Sequence, residues 1–279
     1  MSKKTKMVIG KLERSLKVFL SMCCFFIPTL SFAQDDAPNK ASQPLVTDRP
    51  DATEASATVG KGTLQIETGG LYESFKDNAV QSQNYTFNTT LIRFGILDNL
   101  ELRMGWDFVE GVTTVNGNTL DNVSSGLSPL LLGVKIDISE EINGLPEIAL
   151  IGHVFPLFSA SADYRPETTA VDFRFSFSHT LSENSSIAYN IGGQWGNDSP
   201  EAAAIYTVAY GYSLTDKFGM YAELYGDLPE DSKSNHYWDA GVTYLVSNDL
   251  QLDAYFGKSI TAGQDLLLGL GASYRILKK

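Results

Sequence analysis

The sequence predicts an all-β fold, an antiparallel transmembrane β-barrel of about 12 strands preceded by an irregular N-terminal lead-in. Three observations carry that reading: a hydrophobic period of two repeated along the chain, connections that alternate between tight turns and longer polar loops, and an N-terminal export signal. The repeated segments are about ten residues long, which a tilted strand needs to cross a bilayer. After residue 33 no apolar run approaches the length of a membrane helix. A bilayer location therefore requires a closed barrel, in which every backbone group is paired.

The N-terminus carries Lys3, Lys4, Lys6, Lys11, Arg14 and Lys17, then the apolar run Val18 to Leu30, then Ser31-Phe32-Ala33. A basic region, a short apolar region and small residues before a cut describe a secretory signal peptide over residues 1–33, cleaved after Ala33. Pro28 and the shortness of the run leave it below the ~20 residues that a membrane anchor needs. Cleavage removes Cys23 and Cys24, so the exported chain is expected to have no thiol chemistry. It also removes six basic residues and Glu13, taking the basic and acidic counts from 21 and 33 to 15 and 32, a net of −17 against −12. Such an acidic chain is no candidate for binding nucleic acid through phosphates.

Residues 34–61 show no sustained period and form the lead-in. They contain Thr47-Asp48-Arg49-Pro50-Asp51-Ala52-Thr53-Glu54, a dense charged patch. By polarity this is either a solvated linker or a segment tucked into a barrel lumen, where Arg49 pairs with carboxylates. From residue 62 to 279 the alternation runs almost unbroken. Thr63 to Phe75 sets Leu64, Ile66 and Tyr72 opposite Gln65, Glu67 and Glu73. Asn84 to Leu97 ends with Ile92, Phe94 and Ile96 opposite Arg93, its first half ambiguous. Leu100 to Phe108 puts Leu100, Leu102, Met104, Trp106 and Phe108 on one parity and Glu101, Arg103, Gly105 and Asp107 on the other. In a strand these point to opposite faces, giving one greasy and one wet stripe.

Leu127 to Ile138 sets Leu132, Val134 and Ile136 against Gly133, Lys135 and Asp137. Glu147 to Phe158 is apolar on both parities. Thr169 to Leu181 alternates Val171, Phe173, Phe175 and Phe177 with Asp172, Arg174, Ser176 and Ser178; at a helical period these charges would spread around all sides. Ser186 to Trp195 and Ala202 to Leu214 follow, with Asn190, Gln194 and Thr207 on the polar face. Phe218 to Gly226 carries Tyr221, Glu223 and Tyr225 there, Tyr237 to Val246 carries Asp239, Leu250 to Ser259 carries Asp253 and Tyr255, and Asp265 to Ile276 closes with Arg275. Asp98-Asn99, Ser182 to Ser185, Thr215 to Lys217 and Ser247 to Asp249 are tight connections, while Gly111 to Gly126, Ser159 to Thr168 and Asp227 to His236 are long. Outer-membrane barrels have this asymmetry, with the tight turns in the periplasm. Ser139 to Pro146 is longer than its class predicts. Aromatic residues near segment ends, among them Tyr72, Phe108, Trp195, Tyr212, Tyr244 and Tyr274, suit the two bilayer interfaces.

The lead-in together with Gly60-Lys61-Gly62-Thr63-Leu64-Gln65-Ile66-Glu67-Thr68-Gly69 resembles the opening of an outer-membrane β-barrel family of transporters of the MetA-pathway of phenol degradation type. The closing Gly269-Leu270-Gly271-Ala272-Ser273-Tyr274-Arg275-Ile276 is similar to that family's last strand, although the chain ends Ile276-Leu277-Lys278-Lys279 without a terminal aromatic residue. The resemblance implies transport of aromatic or other small compounds across a bacterial outer membrane. It also favours Asp48, Arg49, Asp51 and Glu54 packing near the periplasmic mouth or within the lumen.

Parity assigns Glu67, Arg93, Arg103, Asp107, Lys135, Asp137, Asp172, Arg174, Tyr221, Glu223, Asp239, Asp253 and Arg275 to the lumen as the expected solute path, with Glu101 and Asp227 beside them. They form either a polar channel for small solutes or an ion-pair network that fills a small barrel. A soluble β carrier is the remaining alternative. An enzyme is not expected: His153, His179 and His236 sit in no nucleophile motif, and Ser178 and His179 fall on opposite faces. Neither a metal cluster nor a cofactor motif is present in the sequence. The expected partners are outer-membrane lipid and an unidentified small solute.

Overall fold

A computed structural model describes residues 43–197 and 199–276. The signal peptide, its cleavage site and Leu277-Lys278-Lys279 lie outside the described residues. The chain forms strands β1 (Leu64–Asp77), β2 (Val80–Leu97), β3 (Leu100–Val115), β4 (Asn118–Thr119), β5 (Ser124–Leu127), β6 (Leu131–Ser139), β7 (Glu147–Phe155), β8 (Thr168–Ser182), β9 (Ser185–Asn197), β10 (Ser199–Ser213), β11 (Phe218–Pro229), β12 (Asn235–Ser247), β13 (Leu250–Ser259) and β14 (Gln264–Ile276). The short β4 and β5 pair with the long-loop half of β3, which leaves twelve strands in the wall. All neighbours pair antiparallel, and β1 bonds to β14 as well as to β2, so the sheet closes and has no open edge.

Closure turns the usual protein inside out. Leu102, Met104 and Phe108 of β3, Val134 and Ile136 of β6, and Val208, Tyr210 and Tyr212 of β10 lie exposed on the exterior. Their inward neighbours Glu101, Arg103, Lys135 and Thr207 are buried. A continuous apolar exterior of this kind is matched to lipid as its solvent. Aromatic rings gather toward both rims. Tyr212, Tyr244 and Tyr274 sit near the tight turns, whereas Tyr72 meets Tyr85 at 5.0 Å and Phe173 stacks on Trp195 at 5.7 Å toward the long loops.

Three irregular stretches have local causes. The ambiguous half of β2 reflects a bulge: Asn88 adopts φ 59, and the register with β3 shifts between Phe87 and Thr90. One inserted residue reverses the facing, so Thr86 points inward and Phe87 outward while Arg93, of opposite parity to Thr86, also points inward. The long Ser139 to Pro146 connection is itself a small hairpin. Ile142 and Leu145 bridge around Asn143 at φ 53 and Gly144 at φ 82, the paired positive dihedrals of a tight hairpin turn. In β7 both faces are apolar because Ala149 and Ile151 are buried on the lumen side. The chain beyond it turns through short 3-10 stretches, Leu157–Ser159 and Ala162–Tyr164, where strand had been expected to Phe158.

Candidate functional site in the barrel lumen

The lead-in enters the barrel at the tight-turn end, where Leu45 N–H bonds to the Asn248 carbonyl at 2.8 Å. It runs into the lumen, reverses near Asp51, and leaves past Thr58, whose hydroxyl bonds to the Asp98 carbonyl at 2.7 Å, to join β1. The segment has no secondary structure of its own, so its buried backbone groups need partners from the wall. Glu67 accepts from Asp48 N–H at 3.0 Å, Glu223 from Ala52 N–H at 2.8 Å, Asn190 Oδ1 from Glu54 N–H at 2.8 Å and Glu101 from Val59 N–H at 2.9 Å. Wall cations serve the carbonyls: Arg93 donates to Ala57 at 2.9 Å and Lys135 to Ala55 at 2.8 Å.

Charge pairing fixes the segment at two points. Asp48 is the hub of the first, with Arg103 at 2.7 Å, Lys135 at 2.7 Å and Arg93 at 3.3 Å from its carboxylate. Arg93 also reaches Glu101 at 2.9 Å and Glu67 at 3.0 Å, and Arg103 holds Glu54. Burial alone would push the Asp48 carboxyl up; the Arg93, Lys135 and Arg103 charges outweigh it and hold it well below the usual carboxylate range. Burial likewise raises Glu54, and the Arg103 charge together with smaller contributions from His153 and Arg174 more than offsets it, so this carboxyl is lowered too.

At the second point Arg49 forks onto Asp253 with bonds of 2.9 and 3.2 Å, donates to Thr89 at 3.2 Å, and lies 5.9 Å above the Tyr255 ring. A two-pronged guanidinium–carboxylate pair fixes orientation as well as charge. It fits because the wall beneath it has no side chains: a Cβ on Gly69 or Gly271 would overlap the guanidinium. Gly271→Ala is therefore expected to displace Arg49 and forfeit about 1.5–3 kcal/mol of charged hydrogen bonding. The loss should appear as a lower unfolding temperature of the lead-in, and an equal loss in an Arg49→Ala background would show that the contact is not the cause.

Beyond the lead-in, toward the long loops, the lumen holds a cavity of about 1050 Å³ lined by Asp107, Asp172, Arg174, Trp106, Phe155 and Trp195, among others. On the tight-turn side a second cavity of about 380 Å³ is lined by Thr47, Thr180, Ser186, Tyr221, Thr243 and Gln251, among others. Arg49 and Asp51 line both, so the tip of the lead-in is the wall between them.

The lead-in residues and those assigned to the lumen by parity divide accordingly. Asp48, Arg49, Asp51, Glu54, Glu67, Arg103, Asp107, Asp172 and Arg174 border the larger cavity, and Tyr221 the smaller one. Arg93 and Lys135 are fully buried in the network around Asp48, and Glu223, Asp239 and Asp253 are buried behind the lead-in. Arg275 ties the lead-in to the tight-turn rim through Gln43 and Asp249. Asp137 sits on the inward parity of β6, one turn from Asn99, whose carbonyl its N–H reaches at 3.0 Å.

Some residues that hold the lead-in did not stand out in the sequence. Asn190, Thr207 and Ser176 are uncharged but almost completely buried, and they grip Thr53 and Glu54. Their inward parity was the available signal. His153 Nδ1 meets Asp172 at 2.8 Å inside the lumen, in the segment whose two apolar faces concealed its facing. His179, by contrast, stacks on Tyr189 at 6.0 Å, and no group of three or more His, Cys, Asp or Glu among the described residues is arranged to hold a metal ion.

No sequence match is found among curated proteins. Among solved structures the chain is similar to an outer membrane channel from Pseudomonas putida F1, with a TM-score of 0.62 at 11% identity over 82% of this chain and 100% of that one. It is also similar to the translocator domain of the autotransporter NalP from Neisseria meningitidis, with a TM-score of 0.51 at 10% identity over 78% of this chain and 89% of that one. At these identities the likeness is one of fold. A family model matches residues 47–276, from the charged lead-in through the last strand, and the chain belongs to the family described as "Putative MetA-pathway of phenol degradation".

Proposed function

We propose that the protein is a bacterial outer-membrane channel for small solutes, not an enzyme, and that its resting lumen is closed by the lead-in. The observation that carries this reading is that the tip around Arg49 and Asp51 borders both cavities. Without a movable obstruction two such spaces in line would form one polar path, as a solute channel requires. The larger space offers the ring of Phe155 beside the charges of Asp107, Asp172 and Arg174. That lining suits compounds with an apolar ring and hydrogen-bonding groups, and it agrees with the channel similarity and the family assignment.

Planar-bilayer recording tests the proposal. The native protein is expected to give small or intermittent currents, and deletion of residues 43–58 should enlarge them severalfold, on the order of the ratio of open to obstructed cross-section. A silent bilayer both before and after deletion would favour a filled, non-transporting barrel, for which the dense pairing around Asp48 is the supporting observation.

A further inference from the structure

The wall beside the tip of the lead-in carries a charge imbalance. Glu223 of β11 and Asp239 of β12 are direct cross-strand partners on the inner face, where side chains of opposed residues stand about 4.5–5.5 Å apart at Cβ. Asp51 of the lead-in tip faces both, with Asp48 of its own segment and Tyr221 of β11 also within its field. The nearby cations are already engaged. Arg49 is forked onto Asp253 of β13, and Arg174 of β8, which acts on Glu223, bonds to the Ala52 carbonyl at 3.3 Å and pairs with Asp172 at 3.7 Å. Tyr221 and Asp239, only 9% and 3% exposed, face each other here, and neither is in an ion pair with a cation among the described residues. Three carboxyl groups gathered without a cation cannot all be ionised in a confined space; at least one must hold a proton.

We infer that Asp51, Glu223 and Asp239 are a proton-operated latch. With a proton shared among them the lead-in tip rests against β11 and β12; when that proton is lost, mutual repulsion drives the tip off the wall and joins the two cavities. Burial pushes the Asp51 carboxyl well above its usual range, and the Glu223, Asp239 and Asp48 charges push it further. A released tip would carry an ordinary carboxyl of pKa ~4. Docking is therefore strongest below that value and weakens as pH rises toward the docked value, about tenfold in the docking equilibrium per pH unit. Asp48 works in the opposite sense and only in acid, because its carboxyl is held low. A window from pH 5 to 9 thus lies above the range in which Asp48 acts.

The consequence for current rests on the channel reading above, so a second readout reports motion alone. Ser56 is 2% exposed behind the tip, and the only cysteines of the chain, Cys23 and Cys24, fall in the segment expected to be cleaved. A Ser56→Cys variant of the exported protein, treated with a membrane-impermeant maleimide, should label about tenfold faster or more at pH 9 than at pH 5, after correction for thiol ionisation against a free thiol. Asp51→Asn should flatten that rise, and Asp216→Asn, an exposed carboxyl in the turn between β10 and β11, should preserve it. In bilayers the wild-type current should rise over the same window and the Asp51→Asn current should not. A labelling rate independent of pH, or an Asp51→Asn variant that rises as the parent does, overturns the latch. Pronounced pH-dependent labelling with no current at any pH would uphold the latch and sink the channel reading.

Discussion

Asp48→Ala is expected to free the lead-in from the lumen and to give the largest change in current of any single substitution in the segment. The side chain pairs with three cations at once, and its carboxylate is 4% exposed, with Arg93, Arg103 and Lys135 at 0 to 1%. Removing one member of a buried ion cluster leaves the others uncompensated, at a cost of about 3–5 kcal/mol. The free lead-in is solvated, so nearly all of that cost falls on docking. Asp48 Oδ1 also accepts from Ala55 N–H at 2.9 Å, which braces the two limbs of the segment against each other. The loss of charge can be separated from the loss of shape: Asp48→Ala combined with Lys135→Met removes one charge of each sign, and it should recover part of the docking if the unpaired cation is the cause. The measurements are bilayer current and protease cleavage within residues 43–61. A single variant that is as quiet and as resistant as the parent would show that the cluster does not hold the segment. In the native protein the same pairing should fail in acid. Because Asp48 is depressed, its contribution to docking is complete above the ordinary carboxylate pKa of ~4 and is lost as pH falls through the lower docked value, below the range in which the Asp51 latch acts.

The parts of this fold that could be read from sequence are those dictated by the solvent on each face. Leu100 to Phe108 alternates because lipid lies on one side of β3 and charge on the other, and the structure puts Leu102 and Met104 outside and Glu101 and Arg103 inside. The pattern is lost where a local device breaks the period. At Asn88 one inserted residue exchanges the faces of β2, and in β7 the lumen itself is apolar around Ile151, so neither stretch shows its facing. Nor could composition decide the position of the lead-in. A charged, aperiodic stretch has the same character in water as in a polar lumen. What distinguishes the two is the complement of partners, and Arg93, Arg103, Lys135 and Asp253 lie 45 to 204 residues away along the chain from the groups they pair with. Parity identified each of them as inward-facing, but not that the lead-in consumes them, which needs three-dimensional register. Gly69 and Gly271 illustrate the same limit: two unremarkable glycines on strands that pair with each other become the bed for one guanidinium.

Met104→Arg is expected to impair insertion of the whole barrel by about 2–4 kcal/mol, the cost of a cation on the lipid face near the bilayer midplane. Met104 is midway between Leu100, beside the tight turn, and Phe108, at the aromatic rim. It is 38% exposed, and its cross-strand neighbours Ile92 of β2 and Leu132 of β6 share the outward face. An arginine there has only apolar neighbours on the adjacent strands, and its stem would have to cross half the apolar band to reach either headgroup layer. The adjacent Arg103, one residue earlier in the chain, costs nothing comparable because it points inward to Asp48, Glu101 and Glu54. The contrast therefore tests facing and not merely the tolerance of β3 for charge. Folding into phospholipid vesicles across a urea series should show the midpoint lowered for Met104→Arg and nearly unchanged for Met104→Leu. Substitution with arginine at Leu132, opposite Met104 on β6, should cost a similar amount because it is the same patch of lipid-facing wall. If Met104→Arg folds into vesicles as well as its parent, the exterior of the barrel is not in contact with hydrocarbon, and the assignment of charge to the lumen and apolar surface to lipid fails with it.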